Sequence, residues 1–277
     1  MTASRKERIK PSGPPRTHLH HPAKKSLGQN FLIDDNISRK IVAALSVLPE
    51  DHIIEIGPGR GALTRLLASA GGMVIAIEKD AYLAESLREE LSSHRNLEII
   101  AEDFLEYSFA PGVSRFKVIG NIPYNLTSRI VSRLVDERER IDSAVLMVQD
   151  EVAERLSALP GSKEYGAISI RLQLFSDVER LFMVTPGCFR PRPKVDSRVI
   201  RIVFKNRTPL DNEAGFVRFI KGAFGMRRKM FRHFVSHNYG KESVDLLEER
   251  FRTGRVETFA PSDIYSLFTI LERNARR

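Results

Sequence analysis

The sequence predicts a parallel α/β sheet followed by a smaller helical region. Five short apolar runs of strand length alternate with segments whose apolar residues repeat at helical spacing, which is typical of βαβ units. Beyond about residue 206 the pattern becomes helical and basic. At 277 residues the chain is long enough for one large domain with a smaller addition. We therefore predict a disordered basic tail over residues 1–24, a catalytic α/β domain over 25–205 and a helical, nucleic-acid-binding domain over 206–277.

The composition narrows the class of protein. Hydrophobic residues at 42% and charged residues at 29% are typical of a soluble globular chain, and no apolar run approaches the length of a membrane span. A net charge of +9 favours a polyanionic partner, nucleic acid before an acidic membrane surface. The single cysteine, Cys188, excludes an internal disulfide framework and a multi-cysteine zinc site, which suits the reducing cytoplasm. We expect no metal.

The first ordered elements are a helix, a strand and a glycine turn. Apolar residues from Ile37 to Leu48 repeat at helical spacing, and Pro49 ends the helix. Its cap is expected from Asp34, Asp35 and Asn36. A buried strand over residues 53–56 then runs into Gly57-Pro58-Gly59-Arg60-Gly61. Glycines in such a turn allow the backbone to approach a ligand closely.

Polar side chains follow the next strands at the point where each strand ends. Glu78 follows the second strand, Asp103 the third and Asn121 the fourth, while a fifth strand covers residues 144–148. Because the carboxyl ends of parallel strands meet at one edge of a sheet, we expect these side chains to lie close together, beside Gly57. The sequence therefore predicts a ligand site at this edge.

Two nucleotide cofactors fit the glycine turn. Gly57-x-Gly59-x-x-Ala62 satisfies a relaxed dinucleotide fingerprint, so this motif alone is compatible with both NAD and S-adenosylmethionine. Two strand-end carboxylates favour S-adenosylmethionine, with Glu78 on the ribose hydroxyls and Asp103 on the adenine amine. Glu55, inside the first strand, is expected only to anchor the turn.

The segment Asn121-Ile122-Pro123-Tyr124 suits a flat ring that carries an amine. The Asn121 side-chain oxygen and the Ile122 carbonyl can accept hydrogen bonds, Pro123 stiffens the turn, and Tyr124 offers a stacking face. The same residues are also common turn formers, so an ordinary turn is the alternative. Farther along the chain, a basic set is a candidate for phosphate contact, with a solvated helix face as its alternative: Arg227, Arg228, Lys229 and Arg232.

Four ordered motifs resemble a known family, the bacterial small-subunit (16S) ribosomal RNA adenine dimethyltransferases, KsgA/RsmA. They are Lys25-Ser26-Leu27-Gly28-Gln29-Asn30-Phe31-Leu32, Glu55-Ile56-Gly57-Pro58-Gly59-Arg60-Gly61, Asn121-Ile122-Pro123-Tyr124 and Phe189-Arg190-Pro191-Arg192-Pro193-Lys194-Val195-Asp196-Ser197. The resemblance spans residues 25–272. It implies a class I methyltransferase fold, Rossmann-like, with a mostly parallel seven-stranded sheet and a small helical carboxy-terminal domain.

The resemblance also implies an activity and a set of site residues. The activity is dimethylation of N6 on two adjacent adenosines in the 3'-terminal hairpin of 16S rRNA, within the immature small ribosomal subunit, with S-adenosylmethionine as methyl donor. The family's motifs place Asn30 and Leu32 over the cofactor and Gly57 at its methionine part. They place Asn121 at the reaction centre, and Tyr124 with Phe189 as an aromatic pair that clamps the target adenine.

One departure from the family pattern leaves the substrate open. Ile122 stands where this family more often has leucine, and isoleucine is frequent in the related Erm enzymes that act on large-subunit (23S) RNA. The alternatives are thus an Erm-like methyltransferase, an RNA-binding ribosome assembly factor with secondary methylation, and a small-molecule methyltransferase, which the basic carboxy-terminal region disfavours. We expect a monomer.

Overall fold

A computed structural model describes residue 24 and residues 28–109, 111–113, 115–205 and 210–275 of the chain. The expected disordered tail lies outside the described residues, except for Lys24. Among the described residues, no helix combines the length and apolar character needed to cross a membrane.

Seven strands form one mixed sheet, which confirms the predicted fold class. They are β2 (His52–Ile56), β3 (Met73–Glu78), β4 (Leu97–Ala101), β5 (Phe116–Asn121), β6 (Ile141–Gln149), β7 (Ser176–Val184) and β9 (Ser197–Phe204). Their spatial order is β4-β3-β2-β5-β6-β9-β7. Neighbours from β4 to β6 pair in parallel, and β9 runs antiparallel to both β6 and β7. Two-residue strands β1 (Phe31–Leu32) and β8 (Phe189–Arg190) form a separate antiparallel pair.

Helices cover both faces of the sheet, so its central strands are buried on both sides. In β2, Ile53 belongs to one hydrophobic cluster and Ile54 to the other, as alternation along a strand requires. The helices of this part are α1 (Asp35–Leu45), α2 (Thr64–Ala70), α3 (Ala81–Glu90), α4 (Thr127–Asp136), α5 (Asp150–Leu156) and α6 (Ala167–Phe175). At α1, the Asp34 side chain accepts hydrogen bonds from the backbone N–H groups of Asn36 (2.9 Å) and Ile37 (3.1 Å), so Asp34 is the N-cap among the three residues expected to supply it.

The strand order creates a switch point between β2 and β5. The chain leaves β2 for β3 on one side and later returns to β5 on the other. In open α/β sheets, a crevice forms at this point outside the carboxyl ends of the strands. The fold therefore places the ends of β2, β3 and β5 around one crevice.

The carboxy-terminal helices share a hydrophobic core with the sheet. They are α7 (Glu213–Gly225), α8 (Phe231–Tyr239), α9 (Glu249–Thr253) and α10 (Pro261–Ala275). Phe219 lies at the centre of their aromatic packing, with ring centroids 5.3 Å from Phe234 and 5.4 Å from Phe268. The same continuous cluster includes Phe175 of α6. The domain boundary near residue 206 stays a prediction, and across it the buried packing is continuous.

A buried arginine reinforces this junction. Arg138 is only 5% exposed, and its guanidinium lies 4.0 Å from the ring centroid of Phe175. It forms an ion pair with Glu213 at 2.9 Å, and Glu213 is also 3.2 Å from Arg171. Removing one partner from such a pair leaves a poorly solvated charge, so this contact ties α7 to the sheet.

Candidate active site

One cavity opens at the carboxyl ends of β2, β3 and β5, as the strand-end polar residues predicted. Its lining brings together eight of the nine predicted catalytic and cofactor-binding residues: Asn30, Leu32, Gly57, Glu78, Asp103, Asn121, Ile122 and Tyr124. The amino-terminal segment around β1 forms one part of the lining, called the amino-terminal wall below, and the glycine turn after β2 and the segment after β5 supply other parts.

The glycine turn needs backbone angles that other residues rarely adopt. Gly57 has φ +64° and Gly59 has φ +58°, both in the left-handed region. A Cβ atom on Gly59 would also lie 3.0 Å from the Phe31 ring, so the turn and β1 approach each other closely. The guanidinium of Arg60 lies 4.5 Å from the centroid of the same ring. Strand β1 is thereby held against the turn.

Glu78 ties the glycine turn to the end of β3. Its Oε2 accepts a hydrogen bond from the Gly59 N–H and its Oε1 accepts one from the Asp80 N–H, both at 2.9 Å. Burial raises the pKa of the Glu78 carboxyl above its ordinary value, although these two bonds lower it. The carboxylate is thus held rigidly at the cavity wall, with lone pairs remaining for further donors.

Asp103 is an ionised carboxylate beside a lysine. Desolvation would raise its pKa, but the Lys79 Nζ hydrogen bond of 2.7 Å, the Leu105 N–H bond of 3.0 Å and the charges of Lys79 and Arg129 outweigh it, so the pKa is lowered. Lys79 itself lines the cavity. Nothing in the sequence pattern singled out Lys79, because an exposed lysine after a strand has no distinctive signature.

Glu55 has a larger place in the site than the sequence predicted. It lines the cavity, is 1% exposed, and its Oε2 has no hydrogen-bond partner among the described residues. Burial raises its pKa from an ordinary 4.5 to about 8. The expectation that Glu55 only anchors the turn is therefore incomplete, because this buried acceptor is also part of the ligand cavity.

The Asn121 amide has a defined orientation. Its Nδ2 donates a hydrogen bond of 2.9 Å to the backbone carbonyl of Asn30, so the strand-end amide is fixed against the amino-terminal wall. That bond uses the donor end of the amide and leaves Oδ1 as an acceptor. Ile122 is held by its N–H, which donates to the Met147 carbonyl at 3.0 Å. These two residues therefore present their acceptors from a rigid segment.

The two aromatic residues of the predicted clamp occupy different environments. Tyr124 lines the cavity, and its hydroxyl shares a 2.8 Å hydrogen bond with Ser197 Oγ. Phe189 is 0% exposed and packs with Leu32 and Val199 in the core. Pairing of β8 with β1 places Phe189 opposite Leu32, which keeps its ring behind the wall. The structure thus does not bring Phe189 into the cavity.

The basic set divides into one paired and three exposed residues. Arg227 forms an ion pair with Glu257 and donates a 3.1 Å hydrogen bond to the Ser162 carbonyl. Arg228, Lys229 and Arg232 are exposed, after α7 and on α8. Arg227 therefore has a structural role that its position in a charge run did not indicate.

The whole-chain comparison decides the family. A family model described as ribosomal RNA adenine dimethylase matches residues 20–273. The chain belongs to this family. It is 45% identical over 229 residues to the ribosomal RNA small subunit methyltransferase A of Chlorobaculum parvum, covering 82% of each chain. It is 43% identical to the protein of the same name from Chlorobaculum tepidum, covering 94% of this chain and 93% of that one.

Solved structures support the fold and the family. A dimethyladenosine transferase from Plasmodium falciparum superposes with a TM-score of 0.80 at 26% identity, covering 88% of this chain and 98% of that one. The 23S rRNA methyltransferase ErmE superposes with a TM-score of 0.70 at 27% identity, covering 88% of this chain and all of that one. As an adenine dimethylase family member, the chain is an S-adenosylmethionine-dependent methyltransferase.

The cavity of this adenine dimethylase fits S-adenosylmethionine. That cofactor carries an ammonium, a sulfonium, ribose hydroxyls and an adenine amine, and carboxylates suit all four. Glu55, Glu78 and Asp103 supply them, and the unpartnered Oε2 of Glu55 is a buried acceptor suited to a cationic group. Among the residues that the structure describes, no cluster of three histidine, cysteine or acidic side chains could hold a metal.

Proposed function

We propose that the protein transfers methyl groups to N6 of two adjacent adenosines in the 3'-terminal hairpin of 16S rRNA. The substrate is the immature small ribosomal subunit, late in assembly, and the protein acts as a cytoplasmic monomer. Relatives at 45% and 43% identity that are named small subunit methyltransferase A support the choice of RNA. The observation that carries the chemistry is the Asn121 amide, whose donor end is bound to Asn30.

The proposed mechanism depends on two fixed acceptors. The N6 lone pair of adenine is delocalised into the ring, so the amine is a poor nucleophile until its hydrogens are held out of the ring plane. In the first transfer, Asn121 Oδ1 and the Ile122 carbonyl accept those two hydrogens and turn the lone pair towards the methyl group; in the second, the methylated amine has one hydrogen left to donate to them. When bound, S-adenosylmethionine supplies that methyl group on a positively charged sulfur, which is a good leaving group. The N6 proton leaves to water afterwards, so the chain needs no covalent intermediate.

The remaining site residues bind and orient. We assign Glu78 to the ribose hydroxyls, Asp103 to the adenine amine of the cofactor, and Gly57 to its methionine part. Asn30 and Leu32 form the wall that covers the cofactor. Their common lining of one cavity supports these roles.

We assign Tyr124 to stacking on the target adenine, since its ring lines the cavity and its hydroxyl is held by Ser197. Phe189 joins that stack only if its side chain rotates out of the core, because its ring is fully buried behind Leu32. Its catalytic role stays a prediction.

The carboxy-terminal helices are proposed to hold RNA phosphates through Arg228, Lys229 and Arg232, which are exposed. Arg227 is assigned to the same set, but its ion pair with Glu257 makes it the least available of the four. The double variant Arg228→Gln/Lys229→Gln should weaken RNA binding and reduce its salt dependence, because each phosphate contact releases bound counterions. An unchanged salt slope would contradict this role.

The deciding experiment compares substrates. The protein is incubated with labelled S-adenosylmethionine and immature small subunits, naked 23S rRNA, or no RNA. We expect label on two adjacent adenosines of the small-subunit RNA alone. Label on 23S rRNA would support the Erm-like alternative, for which Ile122 is the observation in the sequence. Binding to small subunits without label would support the assembly factor.

A further inference from the structure

A short basic loop is joined at both ends to segments that line the cavity, Phe31 on one side and Tyr124 on the other. We define the rim loop as residues 190–196, from the last residue of β8 to the residue before β9. At one end, Arg190 is paired with Phe31 in the β1–β8 ladder. At the other end, the Asp196 carbonyl accepts a 3.1 Å hydrogen bond from the Asp150 N–H, and the next residue, Ser197, is bonded to the Tyr124 hydroxyl. Both ends are thus fixed to segments that flank the cavity.

The rim loop is exposed and carries net positive charge. Arg190, Arg192 and Lys194 are all exposed, and Asp196 is the one acid in the loop. Asp150, whose N–H is bonded to the Asp196 carbonyl, is paired with Arg198. The Asp150 carboxylate is therefore already engaged by a cation outside the rim loop.

The lining of the cavity has more acidic than basic side chains. It includes four acids, Glu55, Glu78, Glu102 and Asp103, and two cations, Arg60 and Lys79. Glu55 is protonated near neutral pH, but the ionised Asp103 repels a phosphate that would enter the cavity. An adenosine can enter such a cavity only if its flanking phosphates stay outside, and cations at the rim favour that arrangement. The cations of the rim loop thus supply an attraction for phosphates that the acidic lining of the cavity lacks.

The rim loop also has a restricted backbone. Pro191 and Pro193 alternate with the basic residues, and the proline ring fixes φ. A loop that is restricted before binding loses less conformational entropy when it meets its partner. These prolines separate the cations at positions 190, 192 and 194, so consecutive phosphates along a strand meet separate side chains.

We propose that the rim loop is a second RNA-contacting surface, distinct from the basic set of the carboxy-terminal helices. It binds the phosphates that flank the target adenosine, in a strand unpaired at that point, because extruding a base is least costly there. The proposal rests on the proposed function.

The test uses the full chain and a variant that lacks two of these charges, Arg192→Gln/Lys194→Gln. The matched control, Arg95→Gln/Arg180→Gln, removes two exposed cations elsewhere, one before β4 at the amino end of the strands and one on the edge strand β7. Binding of a small-subunit RNA hairpin is measured over a range of salt concentrations, together with S-adenosylmethionine affinity and methylation.

We expect the rim variant to raise the Kd for RNA about tenfold at ~0.1 M salt and to reduce the slope of log K against log salt by about 1.4, since each single-strand phosphate contact contributes roughly 0.7. Its affinity for S-adenosylmethionine should equal that of the unmodified protein, and the control variant should retain the RNA affinity.

Two outcomes would overturn the proposal. If the unmodified protein methylates small-subunit RNA while the rim variant keeps its Kd and salt slope, the rim loop is not an RNA contact and the proposed function stands. If the unmodified protein neither binds nor methylates RNA, both the proposed function and the rim-loop proposal fail.

Discussion

Replacing Glu55 with glutamine should change how the stability of the protein depends on pH. Burial raises the pKa of Glu55 from 4.5 to about 8, so between these values the folded chain holds a proton that the unfolded chain has lost. The protonated Glu55 therefore stabilises the folded chain fully below pH 4.5. This contribution to the free energy of unfolding falls as the pH rises and is lost above about pH 8. At ~1.4 kcal/mol per pKa unit, the loss reaches about 5 kcal/mol as an upper limit.

The Glu55→Gln variant keeps the shape of the side chain and removes its titration. Urea unfolding of the ligand-free protein at about pH 5, 7 and 9 gives the free energy at each pH. The difference between the variant and the unmodified protein should grow in favour of the variant as the pH rises. Curves that stay parallel over this range would refute the assignment of a proton to Glu55.

Binding of a cationic ligand should release the proton that Glu55 holds. A positive group near the unpartnered Oε2 favours the ionised carboxylate, so cofactor binding near neutral pH should release a proton from Glu55. Titration calorimetry in two buffers of different ionisation enthalpy measures that release. The glutamine variant should show none from this site, and equal release by both proteins would place the proton elsewhere.

Three further substitutions test the site and its support. Asn121→Ala should abolish methyl transfer while S-adenosylmethionine affinity falls much less; equal loss of both would contradict its role at the target amine. Tyr124→Ala should raise the KM for RNA, because it removes a stacking interaction worth about 1–3 kcal/mol. Tyr124→Phe keeps the ring, so its KM should stay near that of the unmodified protein. Equal KM values for all three proteins would exclude stacking. Arg138→Ala should lower the free energy of unfolding by about 3 kcal/mol, because Glu213 and the Phe175 ring lose their buried partner. Urea unfolding measures this change. An unchanged stability would show that the ion pair is not needed.

The sheet could be predicted from the sequence because its signals are local. Apolar runs such as residues 116–119 mark buried strands, and polar residues such as Glu78 and Asn121 mark their ends. The rule that parallel strands share a carboxyl edge then brings these side chains together, as the cavity lining confirms. The place of the α1 cap, within residues 34–36, was equally predictable, since capping depends on neighbouring residues alone, and the structure shows that Asp34 is the capping residue.

Features that depend on distant residues could not be predicted this way. The β1–β8 ladder joins residues 31 and 190, and a two-residue strand is too short to show alternation. For that reason the sequence could not indicate that Phe189 lies behind Leu32. The raised pKa of Glu55 and the ion pair of Arg227 could not be predicted for the same reason. Both depend on residues that are distant in sequence and pack against these side chains in the folded chain.

The β1–β8 ladder also has a consequence for biosynthesis. Asn30 and Leu32 leave the ribosome early, but the strand that holds their wall in place is made only when residue 190 has been translated. Until then, the amino-terminal wall is supported only by its contacts with the glycine turn and with the Asn121 amide. A nascent chain should therefore reach its full affinity for the cofactor only after Phe189 and Arg190 have emerged, because a chain stalled earlier lacks the ladder that completes this support.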